Sequence, residues 1–224
     1  VGDRLYPSGD GMADLLARAS QRVQPATIVD VGASDGRWSA EALRFWPGAN
    51  LILVEADQRH RPELEAFADA NLPARTIYAM ADDHAGEGHF SSDANDPFGG
   101  QGSSVPRPDT RVVPSTTIDG EVGRSGFRGP YLIKLDTHGF ESQILRGACR
   151  TLRESCALVI EAYTCQLQAD ALRFWELCRD MCGMGFTPTD VADVMRRPLD
   201  GRLWQFDLCF ERTGGLVGEP RYKR

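Results

Sequence analysis

Long apolar runs are missing from the 224-residue chain; none lasts more than a few positions, which excludes a membrane-spanning helix. Excess basic charge is missing too. Lys and Arg number 25 against 32 Asp and Glu, a formal net charge of −7, which argues against a broad phosphate-binding face and so against nucleic acid as a partner. The short basic run at 221–224 reads as a solvated tail. No charged-then-apolar leader is read at the start, although a beginning at Val1 leaves room for residues upstream. No zinc pattern is present. The cysteines Cys149, Cys156, Cys165, Cys178, Cys182 and Cys209 are scattered, and no His or second Cys pair completes a site beside Cys178 and Cys182. They read as small buried hydrophobes suited to a reducing, cytoplasmic setting. Repeats and domain linkers are also absent, so residues 1–224 read as a single domain.

What is present is an alternation. Apolar β-type runs at Thr27–Val31, Leu51–Glu55, Thr76–Met80, Tyr131–Asp136 and Ala157–Glu161 are separated by helical patterns at 37–46, 58–70 and 140–153, after an N-terminal helical segment within 1–25. Such alternation predicts an α/β fold with a doubly wound, mostly parallel sheet. The end differs: a helix is expected over 166–184, then a hairpin of Val191–Arg196 and Leu203–Glu211 that adds antiparallel strands to one edge. The stretch 92–109, SDANDPFGGQGSSVPRPD, has no apolar period. It reads as a loop, either an excursion without a role or a lid over an acceptor.

The turn after the first strand lacks the glycine that a dinucleotide site needs. G-x-G-x-x-G places its middle glycine against a pyrophosphate, whereas Gly32-Ala33-Ser34-Asp35-Gly36 has Ser34 there, with carboxylates at Asp30 and Asp35. No G-x-x-x-x-G-K-[ST] occurs. Two acids near the turn repel phosphates and tolerate an ammonium group, which disfavours NAD and ATP. Glu55 ends the second strand just over 20 residues after Gly32, where a carboxylate accepts hydrogen bonds from a ribose diol. Together these features favour S-adenosylmethionine as cofactor.

VDVGASDGRWS, VEAD, YAMADDHAGEGHF, STTID, LIKLDTHGFESQILRGA and LVIEA follow one another in that order. The series resembles FkbM-type S-adenosylmethionine-dependent methyltransferases over roughly residues 26–165 and, more loosely, the terminal hairpin. The resemblance implies a Rossmann-like, class I methyltransferase fold, a seven-stranded sheet with one antiparallel strand. It also implies O-methylation of sugars or natural products. By position, Gly32, Ala33, Ser34 and Asp35 would lie along the methionine and ribose of the cofactor, and Glu55 would take the ribose hydroxyls. Ala56 and Asp57 would flank the adenosine, and Ala81 and Asp82 would border the adenine.

The fourth strand runs into LDTHGFE. In a doubly wound sheet its carboxyl end lies beside that of the first strand, which places Asp136 and His138 near the methyl to be transferred. An alcohol needs a base, and His138 is the candidate, with Asp136 orienting it or holding cofactor or acceptor, and Glu161 binding an acceptor hydroxyl. The family pattern often carries Gln or Glu at position 138, so the histidine base is specific to this chain. A structural alternative has Asp136 or Thr137 capping the next helix and Glu141 favouring its positive end. Asp136, His138 and Glu161 are also O/N donors of the kind that suits Mg, Mn or Fe. Spacing does not establish that they converge, and no metal is assigned. The expected partner is a small hydroxylated acceptor. Methylation of an amine or amide nitrogen and a non-catalytic partner protein with this fold are the competing readings.

Overall fold

The computed structural model describes residues 9–92, 96 and 98–212. Expectations resting on residues 1–8, on 93–95 and 97 of the long loop, and on the basic run at 221–224 lie outside the described residues. In chain order the elements are α1 (Met12–Ser20), β1 (Thr27–Val31), α2 (Arg37–Leu43), β2 (Asn50–Val54), a single 3-10 turn at Gln58–His60, α3 (Arg61–Ala70), β3 (Ala74–Ile77), β4 (Met80–Ala81), β5 (Gly86–Ser91) and β6 (Gln101–Ser103). They continue with β7 (Thr110–Thr116), α4 (Ile118–Ser125), β8 (Tyr131–Leu135), α5 (Glu141–Arg146), α6 (Cys149–Glu154), β9 (Ser155–Tyr163), α7 (Phe174–Gly183), β10 (Phe186–Arg196) and β11 (Leu203–Arg212). No helix among the described residues is long and apolar enough to cross a membrane.

The main sheet has seven strands in the order β10-β11-β9-β8-β1-β2-β3. Pairings from β9 through β3 are parallel, and β11 runs antiparallel to both its neighbours. The expected α/β architecture, with a closing antiparallel hairpin, is therefore present. The parallel strands are buried on both faces, as crossover helices require. Val29, Val31, Ile52, Ile133 and Leu135 pack on one side with Phe140 and Ile144. Ile28, Leu51, Leu53 and Leu132 pack on the other with Leu15 and Leu16 of α1.

Strand register positions the site. Val31 lies level with Val54 and with Leu135, and Leu135 lies level with Ile160. The next residue on each strand is Gly32, Glu55, Asp136 and Glu161. Gly32, Glu55 and Asp136 thus leave the sheet at one edge, level with Glu161, which continues in β9 opposite Asp207.

Several expectations need correction. The run expected as one strand over Thr76–Met80 splits, because Ile77 ends β3 and Met80–Ala81 joins a second sheet of four strands, β4-β7-β5-β6. Part of the stretch read as a loop thus forms β6, and β7 begins just beyond it. Its pattern is hard to see because β6 is three residues long and β7 carries Pro114. The helix expected over 140–153 is two, broken at Gly147-Ala148. A Cβ on Gly147 would lie 2.1 Å from the Asp82 backbone oxygen, so the break lets two backbones meet. Gly147→Ala is expected to lower the unfolding free energy by about 1–3 kcal/mol, the usual cost of forcing volume into a packed interior, read as a fall in the urea midpoint. An unchanged midpoint would show that the contact yields freely. The helix expected from 166 starts only at Phe174. Ala171 instead packs on the turn at Gly139, where a Cβ would lie 2.9 Å away. Only Cys209 of the six cysteines is buried; Cys149, Cys165 and Cys182 are exposed, and none forms a disulfide.

Candidate active site

A cavity of about 470 Å³ opens at the shared strand edge, within the range of small-ligand sites. Gly32, Ala33, Ser34, Glu55, Ala56, Asp57, Ala81, Asp136 and His138 all line it. Gly32 has φ +80°, and a Cβ there would fall 2.1 Å from the Asp136 backbone oxygen, so only glycine lets the first turn pass the fourth strand. Its amide donates to Val54 O at 2.9 Å, tying the turn to β2. Glu55 accepts the Ser34 amide at 2.8 Å on one oxygen and the Asp57 amide at 2.6 Å on the other. Each oxygen keeps a lone pair. Burial pushes this carboxyl up, while the two amides pull it down. The Ser34 hydroxyl is buried without a partner. An acceptor with spare capacity, a cradle a side chain would fill and an orphan hydroxyl fit a ribose-bearing ligand.

Three of the expected cofactor residues do not reach the cavity. Asp30 is 1% exposed and accepts the Ser39 hydroxyl at 2.7 Å beneath the turn; burial pushes its carboxyl up to about 6. Asp35 turns outward to Arg37 at 2.7 Å. Asp82 accepts the Asp83 amide at 2.7 Å beside His84. Asp57 lines the wall, yet its carboxylate is committed to Arg59 at 2.7 Å and Arg111 at 3.4 Å. Burial opposes the charge on Asp57, and the Arg59 bonds outweigh it, so its pKa is lowered.

The catalytic candidates do converge. His138 Nε2 lies 3.5 Å from Asp136 Oδ1 and 3.4 Å from Glu161 Oε2. His138 sits at φ +51°, and its Nδ1 is 2.8 Å from the Gly100 carbonyl oxygen, to which it donates. Behind them the buried Lys134 ammonium bridges Asp136 at 3.3 Å and Asp207 at 3.1 Å. Tyr163 donates its hydroxyl to Glu161 Oε2, and Gln205 Nε2 donates to Oε1 at 2.7 Å. Burial lowers the His138 pKa, but the Glu161 and Asp136 charges outweigh it and raise it above 6.5. Burial, then the Asp136 charge, pushes Glu161 up to about 7. The Asp136 charge thus raises both groups. Neither Asp136 nor Thr137 caps the next helix: α5 begins at Glu141 with Phe140 at its N-cap and no side-chain cap, while Glu141 does stand in the first turn, at the positive end. Glu141 is buried and accepts the Gly139 amide at 2.8 Å and the Thr137 hydroxyl at 3.2 Å, which fixes the turn that carries His138.

The small sheet supplies the opposite wall. Met80, Phe90, Phe98, Gly100 and Gly102 line the cavity with Phe140. Gln101 Nε2 donates to His138 O at 2.7 Å. Gln168 Nε2 donates to Gly102 O at 3.1 Å and to Gly139 O at 3.0 Å. Phe98 stacks on His60 at 5.6 Å under the Arg37 guanidinium, 4.3 Å from the ring. Sequence reasoning missed Tyr163, Gln205 and Gln168. A signal existed for the first two: Tyr163 is two residues beyond Glu161 on the same strand face, and Gln205 pairs with it across the ladder. Gln168 had none, because it lies in the segment read as helix.

The model of the methyltransferase FkbM domain matches residues 30–196. No curated protein matches the chain. Among solved structures, the chain is similar to the 1,6-didemethyltoxoflavin-N1-methyltransferase of Burkholderia thailandensis, solved with 1,6-didemethyltoxoflavin and S-adenosylhomocysteine, at 16% identity and a TM-score of 0.50 over 90% of this chain and 76% of that one. A candidate tRNA methyltransferase of Streptococcus pneumoniae in complex with S-adenosyl-L-methionine matches at 12% identity and 0.50, over 88% and 72%. A protein of the NADB-Rossmann superfamily from Streptococcus agalactiae matches at 11% identity and 0.50, over 88% and 67%. Likeness at these identities establishes the fold, and the family match extends over most of the sheet and both halves of the cavity. The chain belongs to the FkbM methyltransferase domain family and is a methyltransferase.

Proposed function

We propose that the protein transfers a methyl group from S-adenosylmethionine to a hydroxyl oxygen of a small metabolite, natural product or glycan sugar. S-Adenosylmethionine, when bound, supplies an electrophilic methyl on a sulfonium. Glu55, with Gly32, Ala33 and Ser34, would hold the ribose side, and Ala56, Asp57 and Ala81 would border the base. Asp136, His138 and Glu161 would receive the acceptor and its proton, while the small sheet keeps water from the reacting groups. The observation that carries this reading is one cavity edge where Glu55 stands just past β2 and His138 lies 3.5 and 3.4 Å from the Asp136 and Glu161 carboxylates. An alcohol must lose a proton to attack; a free amine attacks through a lone pair it already has. The wall also carries Glu41, Asp193 and Asp207, which disfavours a phosphate-rich acceptor such as nucleic acid.

The test is transfer of a labelled methyl to a panel of hydroxylated metabolites and matched amines. Product gaining one CH2 unit on oxygen is expected. Mass gain on amines alone supports N-methylation, and cofactor binding without any product supports the non-catalytic reading. The rate should also rise with pH through about 7, where Glu161 loses its proton and becomes an acceptor. Asp136→Asn should move that limb to lower pH, because the removed charge raises both His138 and Glu161. A limb that stays in place would separate Asp136 from the titration.

A further inference from the structure

We propose that Asp136, His138 and Glu161 form a divalent-cation site on the cavity wall, suited to Mn2+ or Mg2+ and open on one side to an oxygen of the acceptor. Each of the three residues offers a ligand atom within 4.8 Å of the others, and Asp136 Oδ1 and Glu161 Oε2 are the oxygens that face His138 Nε2. The two distances to Nε2, 3.5 and 3.4 Å, are a few tenths of an ångström longer than the roughly 3 Å between neighbouring ligands of an octahedral ion held at about 2.1 Å. A small closure around an ion completes the set.

Each ligand is held from behind through its other polar atom. Asp136 Oδ2 faces Lys134 Nζ at 3.3 Å, His138 Nδ1 bonds the Gly100 carbonyl at 2.8 Å, and Glu161 Oε1 accepts from Gln205 at 2.7 Å. Such outer bonds are what orient metal ligands and fix an imidazole tautomer. With Nδ1–H committed to a carbonyl, a neutral His138 directs its Nε2 lone pair at two carboxylates. Three acceptors then face one another, an arrangement that a shared proton or a cation among them relieves. A proton on Nε2 serves this partly; a divalent ion bonds all three. The Tyr163 hydroxyl still leaves Glu161 Oε2 a lone pair to give. No thiol is in the set, which favours Mn2+ and Mg2+ over soft ions. Asp136 is 41% exposed at its side chain, so the open coordination positions face the cavity, within reach of an acceptor hydroxyl. That statement about the acceptor rests on the hydroxyl-methylation reading, whereas the cation site rests on the three ligands.

The chelator-stripped full chain is titrated with MnCl2 and followed by calorimetry and electron paramagnetic resonance. Saturable uptake with nitrogen coupling from an imidazole is expected. Glu161→Gln should weaken uptake at least about tenfold, and Gln205→Ala about 10- to 100-fold, as for lost outer-shell bonds. His138→Gln should remove the nitrogen coupling. Asp136→Asn is the second ligand variant if Glu161→Gln does not fold. Asp83→Asn, in the Asp82, Asp83 and His84 group that also clusters ligand atoms, should change nothing. No uptake by folded wild-type chain, uptake indifferent to the ligand variants, or uptake lost with Asp83 would overturn the site. Full hydroxyl methylation in chelator without Mn2+ uptake overturns the cation site and leaves the methylation reading intact. Mn2+ uptake at the cluster by a chain that methylates no hydroxyl does the reverse.

Discussion

Glu55→Gln is expected to weaken binding of S-adenosylhomocysteine by about 10- to 100-fold. The carboxylate accepts the Ser34 and Asp57 amides at 2.8 and 2.6 Å and presents its remaining lone pairs to the cavity. A glutamine has one carbonyl oxygen, so its NH2 must face one of those N–H groups, and the turn at Ser34, already at φ +51°, loses its anchor. A hydrogen bond to a charged group is worth about 1.5–3 kcal/mol, and each 1.4 kcal/mol is about tenfold in affinity. Calorimetry reads the loss, with circular dichroism to confirm the fold. Unchanged affinity would mean that Glu55 only braces the turn.

His138→Ala is expected to lower kcat by about 10²- to 10⁴-fold, the usual contribution of a positioned acid–base group, while S-adenosylhomocysteine affinity stays within a few-fold. The separation follows from the geometry. Glu55 stands one residue past β2, and the His138 side chain meets Asp136 just past β8 and Glu161 within β9. The turn should survive the change, because Gln101 bonds the backbone oxygen of residue 138 and Glu141 holds the Gly139 amide. The rising limb of the residual rate should move to higher pH, because the His138 charge that lowers the Glu161 pKa is gone. A kcat within about threefold of wild type would remove His138 from the proton path and leave its role to Glu161.

The parallel core was readable in the sequence because each strand buries both faces and so appears as a continuous apolar run; β1 is buried at every position. Register then made the cofactor side legible, since Gly32, Glu55 and Asp136 each stand one residue past a strand. The acids Asp30, Asp35 and Asp82 were harder to place. Proximity in sequence to a binding turn does not give the direction of a side chain, and Ser39, Arg37 and the Asp83 amide draw these three away. The small sheet was hidden because β4 and β6 are two and three residues long, and β5 and β7 are partly exposed and carry Gly, Ser and Pro. Its contacts with the His138 turn run through backbone carbonyls at Gly100, Gly102 and Gly139, which no side-chain pattern records.

A crystal structure of the chain grown with S-adenosylhomocysteine puts the arrangement to its most direct trial. The ribose should lie within hydrogen-bond distance of the Glu55 carboxylate, with the sulfur end towards Asp136 and His138. Ribose bound elsewhere, or no ligand in the cavity of a well-ordered crystal, would contradict it.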